Sequence, residues 1–155
     1  MDWSMIYSQT IDTPAGALTV RATDEAITNI TFEVSPETNP NEITQKACSE
    51  LGEYFKGRRM SFDLPIKTSG TDFQQQVWRE LLKIPAGKTI SYGQIAKNIG
   101  RPKAARAVGG AVGSNPIAIV IPCHRVMATS GAITGYTGGE GIKTKKRLLD
   151  METGG

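Results

Sequence analysis

A run of five small or branched apolar residues, Ile117-Ala118-Ile119-Val120-Ile121, is closed by Pro122 and followed at once by Cys123 and His124. The run is predicted to be a short buried strand. Pro122 ends it, because proline has no N–H to give to a strand ladder. Neighbours on a strand point to opposite faces, so Cys123 and His124 can act together only if the backbone bends between them. His124 is the only histidine in the chain. A thiol becomes a strong nucleophile as its thiolate, and a nearby imidazole can take the proton directly or through a water. The competing reading is a small buried core cysteine, which is common after an apolar run.

A chain of 155 residues suits one domain or two small ones. No window has the length and apolarity of a membrane span. Met1-Asp2-Trp3-Ser4 lacks a basic segment leading into an apolar one, so no signal peptide is expected. Cys48 and Cys123 make no disulfide framework, and a reactive free thiol fits a reducing cytoplasm. Cys48 lies in a helical pattern and is expected to be packing. One histidine and two distant cysteines offer no zinc spacing, so no metal is expected.

Net charge is only +3, weak evidence by itself for a nucleic-acid partner. Its distribution says more. Lys83, Lys88, Lys97, Arg101, Lys103, Arg106 and Arg125 follow one another with no acid between them. Such a run is either a solvated face or a seat for an anionic partner, and the missing acids favour the partner.

The first half reads as a small antiparallel sheet with a helix against it. Met5–Ile11, Ala17–Ala22 and Ala26–Phe32 are β-prone, and Thr13-Pro14-Ala15-Gly16 joins the first two as a hairpin. After a polar loop at Ser35–Asn41, the residues Ile43, Ala47, Leu51, Tyr54 and Phe55 keep helical spacing, and Gly57 stops them. Ser61–Ile66 reads as one more extended piece. No catalytic cluster appears here. Lys67-Thr68-Ser69-Gly70 is a linker, which divides the chain into domains 1–66 and 70–155.

In the second half, Thr71 and Gln74 form a capping box before an apolar stripe of Phe73, Val77, Leu81 and Ile84, with Trp78 and Leu82 beside it. Ser91, with Gln94 as its partner, opens a further helix that Gly100 stops, and Pro102 suits the first turn of the next. Two short helices around a glycine-containing turn form a helix-turn-helix. Arg106, Gly109, Gly110 and Gly113 share one face of the second helix, and Ala104, Val108, Ala111 and Val112 the other. Each interior glycine costs about 1 kcal/mol. Two reasons to keep three of them stand level: close helix packing, or a bald surface for a partner. Thr134–Gly139 is a glycine-rich loop suited to wrapping a ligand, with Tyr136 as a pocket wall. Lys143–Met151 is a basic terminal helix with Leu148 and Leu149 facing inward.

The stretch from Asn115 through Pro122-Cys123-His124-Arg125-Val126 resembles the active-site motif of the O6-alkylguanine-DNA alkyltransferases. The resemblance extends through Ser91–Ala96, Pro102–Ala111 and Gly135–Gly139, about the second half of the chain. It implies an α/β (α+β) fold: an N-terminal ribonuclease-H-like antiparallel sheet with a helix, then a C-terminal helix-turn-helix, winged-helix-like domain. It implies single-turnover repair without a cofactor, the alkyl group of O6-alkylguanine in double-stranded DNA passing to Cys123. His124 would draw the thiol proton, with Glu152 to orient it; Asp150 competes for that role. Asn115 would tie its turn to the backbone near Cys123, and Tyr92 would protonate the departing guanine. Arg106 would fill the gap left by the flipped base, on a minor-groove surface that includes Tyr92, Ala105, Gly109, Gly110 and Arg125. Val112, Val126, Tyr136 and Thr137 would bound the base. Gly113 stands where some relatives carry an arginine, and the zinc ligands of some relatives are missing. A monomer is implied, and acceptance of O4-alkylthymine stays open.

Two other classes compete. A cysteine hydrolase would use Cys123 and His124 but needs an oxyanion hole and a turnover step. A lesion-binding module would do no chemistry, and family members of that kind replace the cysteine that this chain keeps.

Overall fold

Strands β1 (Tyr7–Thr13), β2 (Gly16–Ala22) and β3 (Ile27–Thr31) form an antiparallel sheet in that order. The structure, a computed structural model, describes residues 5–154; the Met1–Ser4 stretch read for a leader lies outside them. Thr13 pairs with Gly16, leaving Pro14 and Ala15 as a two-residue turn. Leu18, Val20 and Ala22 alternate into the core, with Ile27 and Ile30 from β3. Thr19 is buried as well, because its hydroxyl is engaged with Thr10 and the Glu33 carbonyl, each at 2.8 Å.

Helix α1 (Glu42–Phe55) starts at a reciprocal cap. Asn41 Oδ1 accepts from Thr44 N at 2.8 Å, and Thr44 Oγ1 accepts from Asn41 N at 2.9 Å. Its buried face, Ala47, Cys48, Leu51 and Tyr54, covers the sheet. Only the end of the expected extended piece Ser61–Ile66 pairs: Ile66 bridges to Ile27 in parallel. Pro65, with no N–H, contributes its carbonyl alone, to Ile27 N at 2.8 Å.

Residues 5–68, together with Pro116–Ala118, form one compact unit, and Ser69–Asn115 with residues 119–154 forms the other. The sequence reading assigns Pro116–Ala118 to the second domain. Backbone bonds place them beside β3 instead: Ile30 N to Pro116 O and Ala118 N to Ile30 O, both 3.0 Å.

In the second unit, α2 (Asp72–Leu81) begins at the Thr71–Gln74 capping box. Val77, Trp78, Leu81 and Ile84 are buried, whereas Leu82 is 47 % exposed. The helix ends at Leu81, so the helical spacing no longer governs Leu82. Trp78 Nε1 donates to the Ala111 carbonyl at 2.9 Å. A Cβ at Gly70 would lie 2.8 Å from the Trp78 ring, so glycine is required there for close approach.

A two-residue strand β4 (Ile90–Ser91) leads into α3 (Tyr92–Asn98), and α4 (Ala105–Gly113) packs against it. Ser91 caps α3, but Gln94 turns forward to Asn98 at 2.8 Å instead of back to the cap. Gly100 turns the chain at φ 77°. Pro102 lies in the turn ahead of α4, not in its first turn, because Arg101 and Ala104 close that turn first. After α4 the chain reaches β5 (Val126–Met127), which runs parallel to β4 with Ile90 opposite Val126, and ends in α5 (Ile142–Glu152).

Candidate active site

The expected strand Ile117–Ile121 is not one. Ile117 bridges to Ile30, and the chain then turns on Ile119, which has φ 72°. Among the described residues no other non-glycine residue has a positive φ. A β-branched residue there is a strained outlier costing of order 1–3 kcal/mol. Ile117, Ile119 and Ile121 still bury their side chains. Asn115 Nδ2 donates to the Ile121 carbonyl at 2.7 Å, and Cys123 N donates to the same carbonyl at 2.8 Å. Pro122 then leads into a single 3₁₀ turn, Cys123–Arg125. This is the bend that the Cys-His sequence demands.

His124 is fully buried, and its Nε2 lies 2.7 Å from Glu152 Oε2. Its Nδ1 has no partner among the described residues. The carboxylate that meets the imidazole is thus Glu152; Asp150 is exposed and pairs with Lys146 at 3.4 Å. Burial pushes the imidazole below its ordinary value, the Glu152 carboxylate pulls it back up, and the charges of Arg125 and Lys145 push it down again.

Cys123 is a half-buried free thiol. Burial pushes it up, against a hydrogen bond from Asn115, the positive charge of Lys145, its own backbone N–H and the Tyr136 hydroxyl. Tyr136 itself is pushed up by burial and by the facing sulfur, so it remains a phenol. Cys48, in the other unit, is a buried thiol pushed up to about 11 and serves as packing.

Arg125 is placed differently from the expectation of a DNA contact. It is 6 % exposed. Its Nε and Nη2 donate to Glu152 at 2.8 Å each, and its Nη1 donates to the Ile84 carbonyl at 2.6 Å. Each of the three guanidinium nitrogens is thus engaged within the protein. The other basic residues of the acid-free run, Lys83, Lys88, Lys97, Arg101, Lys103 and Arg106, are all exposed. Arg101 lies over the Phe73 ring at 5.6 Å and Lys83 pairs with Glu80 at 3.0 Å.

On α4, Val108, Ala111 and Val112 are buried and Arg106, Gly110 and Gly113 exposed. A Cβ at Gly110 or Gly113 would meet nothing within 4 Å. Close packing therefore does not account for these glycines, and the bald face is an open surface. Tyr92 lies against it: a Cβ at Gly109 would be 3.9 Å from the Tyr92 ring. Ala105 begins the helix, half-buried. Val112 lies on the inner side of α4, Val126 is fully buried in β5, and Thr137 is exposed on the loop that carries Tyr136.

Two family models match the chain: the 6-O-methylguanine DNA methyltransferase ribonuclease-like domain over residues 6–68 and the DNA-binding domain of the same proteins over residues 72–154. The methylated-DNA–protein-cysteine methyltransferase of Mycobacterium tuberculosis is 48 % identical over 96 % of this chain and 93 % of its own length. This chain belongs to the methylated-DNA–protein-cysteine methyltransferase family. That of Methanosarcina acetivorans is 42 % identical over 95 % of this chain and 98 % of its own. The crystal structure of M. tuberculosis OGT in complex with DNA superposes with a TM-score of 0.88 at 46 % identity, covering 96 % of this chain and 93 % of that one. The three-stranded sheet with α1 is thus the family's ribonuclease-like domain, and the helices from α2 onward its DNA-binding domain.

One residue of this methyltransferase-family site was not foreseen. Lys145 is fully buried on α5, its Nζ donating to the Thr134 carbonyl at 2.6 Å. Burial pulls its amine down and the Cys123 sulfur pulls it up. The spacing Lys145, Leu148, Glu152 already puts it on the inward face of the helix, but its place in a basic run makes it look like surface.

Proposed function

We propose that this chain repairs O6-alkylguanine in double-stranded DNA by taking the alkyl group onto Cys123, once per molecule. The observation that carries the reading is a half-buried thiol whose next residue is an imidazole locked against a buried carboxylate. Nε2–H is directed to Glu152, so the unpartnered Nδ1 is the acceptor for the thiol proton, directly or through a water. The sulfur then attacks the alkyl carbon, the S–C bond forms, and the C–O6 bond breaks. The guanine leaves as a neutral base, with Tyr92 as its proton donor. A thioether does not hydrolyse, so the chain is consumed and no cofactor takes part.

The target atom lies inside the duplex, so the nucleotide must leave the stack. The open face of Ala105, Arg106, Gly109 and Gly110 beside Tyr92 suits a narrow minor groove, with Arg106 filling the vacated place. Asn115 fixes the turn below the sulfur, and Val112, Val126, Tyr136 and Thr137 bound the base. One copy of the chain carries every part, which supports a monomer, and a free thiol of this kind suits the reducing cytoplasm. The likeness to a relative solved with DNA supports the partner.

Mass spectrometry after incubation with methylated duplex DNA tests this. One methyl group per chain on the peptide holding Cys123 is expected, with no label on Cys123→Ala. Many lesions cleared per molecule, or binding without a covalent adduct, would overturn it.

A further inference from the structure

Glu152 does not serve His124 alone. Its Oε1 accepts from Arg125 Nε at 2.8 Å, and its Oε2 accepts from Arg125 Nη2 at 2.8 Å while lying 2.7 Å from His124 Nε2. All three residues are less than a tenth exposed. A carboxylate facing an imidazole by itself draws a second proton onto the ring, because the resulting ion pair is favourable. Here a guanidinium already holds that carboxylate in a bidentate pair, the strong form of such contacts. A charged ring would then be a second cation on a balanced anion, in an interior that also holds Lys145.

We propose that Arg125 is a positioning residue of the transfer reaction: by balancing Glu152 it keeps His124 neutral, with Nε2 protonated towards Glu152 and Nδ1 open to take the thiol proton. A ring charged beforehand could not accept that proton, and the S–H bond would have no internal base. The charged groups acting on the ring are Glu152 and Lys145, from α5, and Arg125, from the ring's own turn. The direction of each influence agrees: burial opposes the charged ring most, Glu152 favours it, and Arg125 and Lys145 oppose it.

A merely structural Arg125, pinning α5 to the chain just after α2, makes a different forecast. Replacing it would then harm the protein according to lost hydrogen bonds, whatever the charge of the replacement. Two variants separate the cases. Arg125→Gln keeps a donor for Glu152 and removes the charge; Arg125→Lys keeps the charge and loses the planar fork.

His124 is the only histidine, so its ring resonances are unambiguous in the full chain. Nitrogen shifts of the unaltered protein should show the neutral Nε2–H form at neutral pH. Arg125→Gln should raise the ring's titration by about one pH unit or more, and Arg125→Lys should stay close to the unaltered protein. The acid limb of the single-turnover transfer rate should move up with the ring in Arg125→Gln. A charged ring in the unaltered protein at neutral pH overturns the proposal, as does an equal rise in both variants. If Arg125→Gln does not fold, the unaltered protein and Arg125→Lys decide it: a rise of a full unit in Arg125→Lys overturns the proposal. The role rests on the alkyl-transfer reading, but the ring's protonation does not, so either can fail without the other.

Discussion

Asn115 closes a short loop on itself: its side-chain amide donates to the Ile121 carbonyl at 2.7 Å, two residues before Cys123. Asn115 follows α4 almost directly, so the clamp links the open helix face to the backbone that carries the thiol. The same carbonyl accepts from Cys123 N at 2.8 Å.

Asn115→Ala removes that donor and the hydrogen bond that favours the thiolate. A cost of about 1–3 kcal/mol in stability is expected, together with a thiol that ionises at higher pH. Urea unfolding measures the first and the pH dependence of iodoacetamide modification the second. An unchanged thiol titration in a folded variant would show that the clamp does not reach the sulfur.

Gly110→Ala should stabilise the protein, by up to about 1 kcal/mol, because alanine is the better helix former and nothing crowds the new methyl. It should also weaken binding to duplex DNA, since the bald face loses its smoothness. Fluorescence anisotropy with an unmodified duplex, alongside urea unfolding, reads both. Destabilisation would reveal packing that the structure does not contain.

Arg106→Ala should slow repair of duplex DNA by roughly a hundredfold, because an extruded base leaves a gap worth a few kcal/mol. Reaction with free O6-benzylguanine should hardly change, since the free base needs no extrusion. Arg106→Lys should recover the duplex rate only in part. Equal losses on both substrates would assign Arg106 to the pocket or the fold.

Lys145→Met keeps an unbranched buried side chain and removes the charge beside the thiol. The Cys123 titration should move up, and its modification at neutral pH should slow several-fold. Cys48 will not obscure the result, being buried and pushed up to about 11. A thiol that becomes more reactive would reverse the sign of the Lys145 effect.

Stability should be greatest between two titrations. The folded-state value of His124 lies below its ordinary value of about 6.5. The unfolded chain therefore binds more protons between the two, and stability falls as pH drops from about 6.5 through the folded value. The thiol of Cys123 is raised, so its contribution is present below the ordinary thiol value and is lost as pH rises through the raised one. Urea unfolding across pH tests this; a His124→Gln variant that kept the same acid-side slope would place the titration elsewhere.

The sequence made the sheet legible because its signals are local: β-prone runs joined by the short Thr13–Gly16 turn. The capping box at Thr71 was equally plain. The Ile117–Ile121 run misled, because five apolar residues report burial and not backbone direction; the left-handed turn at Ile119 leaves no trace in composition. Cys123, His124 and Asn115 stood out through their motif. Arg125 stood in the same motif but reads there as a DNA contact, and Lys145 reads as surface, because a buried cation looks like an exposed one until its partners, Glu152 and the Thr134 carbonyl, are brought to it by the fold.

Ile119 carries two demands that no common side chain meets together. Its backbone, at φ 72°, suits glycine or asparagine, while its side chain fills a fully enclosed place in the interior. Glycine would relax the turn and leave a hole; asparagine would relax it and bury an amide in place of an apolar side chain. The left-handed turn costs about 1–2 kcal/mol, whereas emptying a buried isoleucine site costs about 2–5. The larger quantity decides, and the strained residue stays. This position, four residues upstream of the thiol, is therefore a point of low mutational tolerance, where neither relaxing the chain nor preserving its volume offers a neutral path.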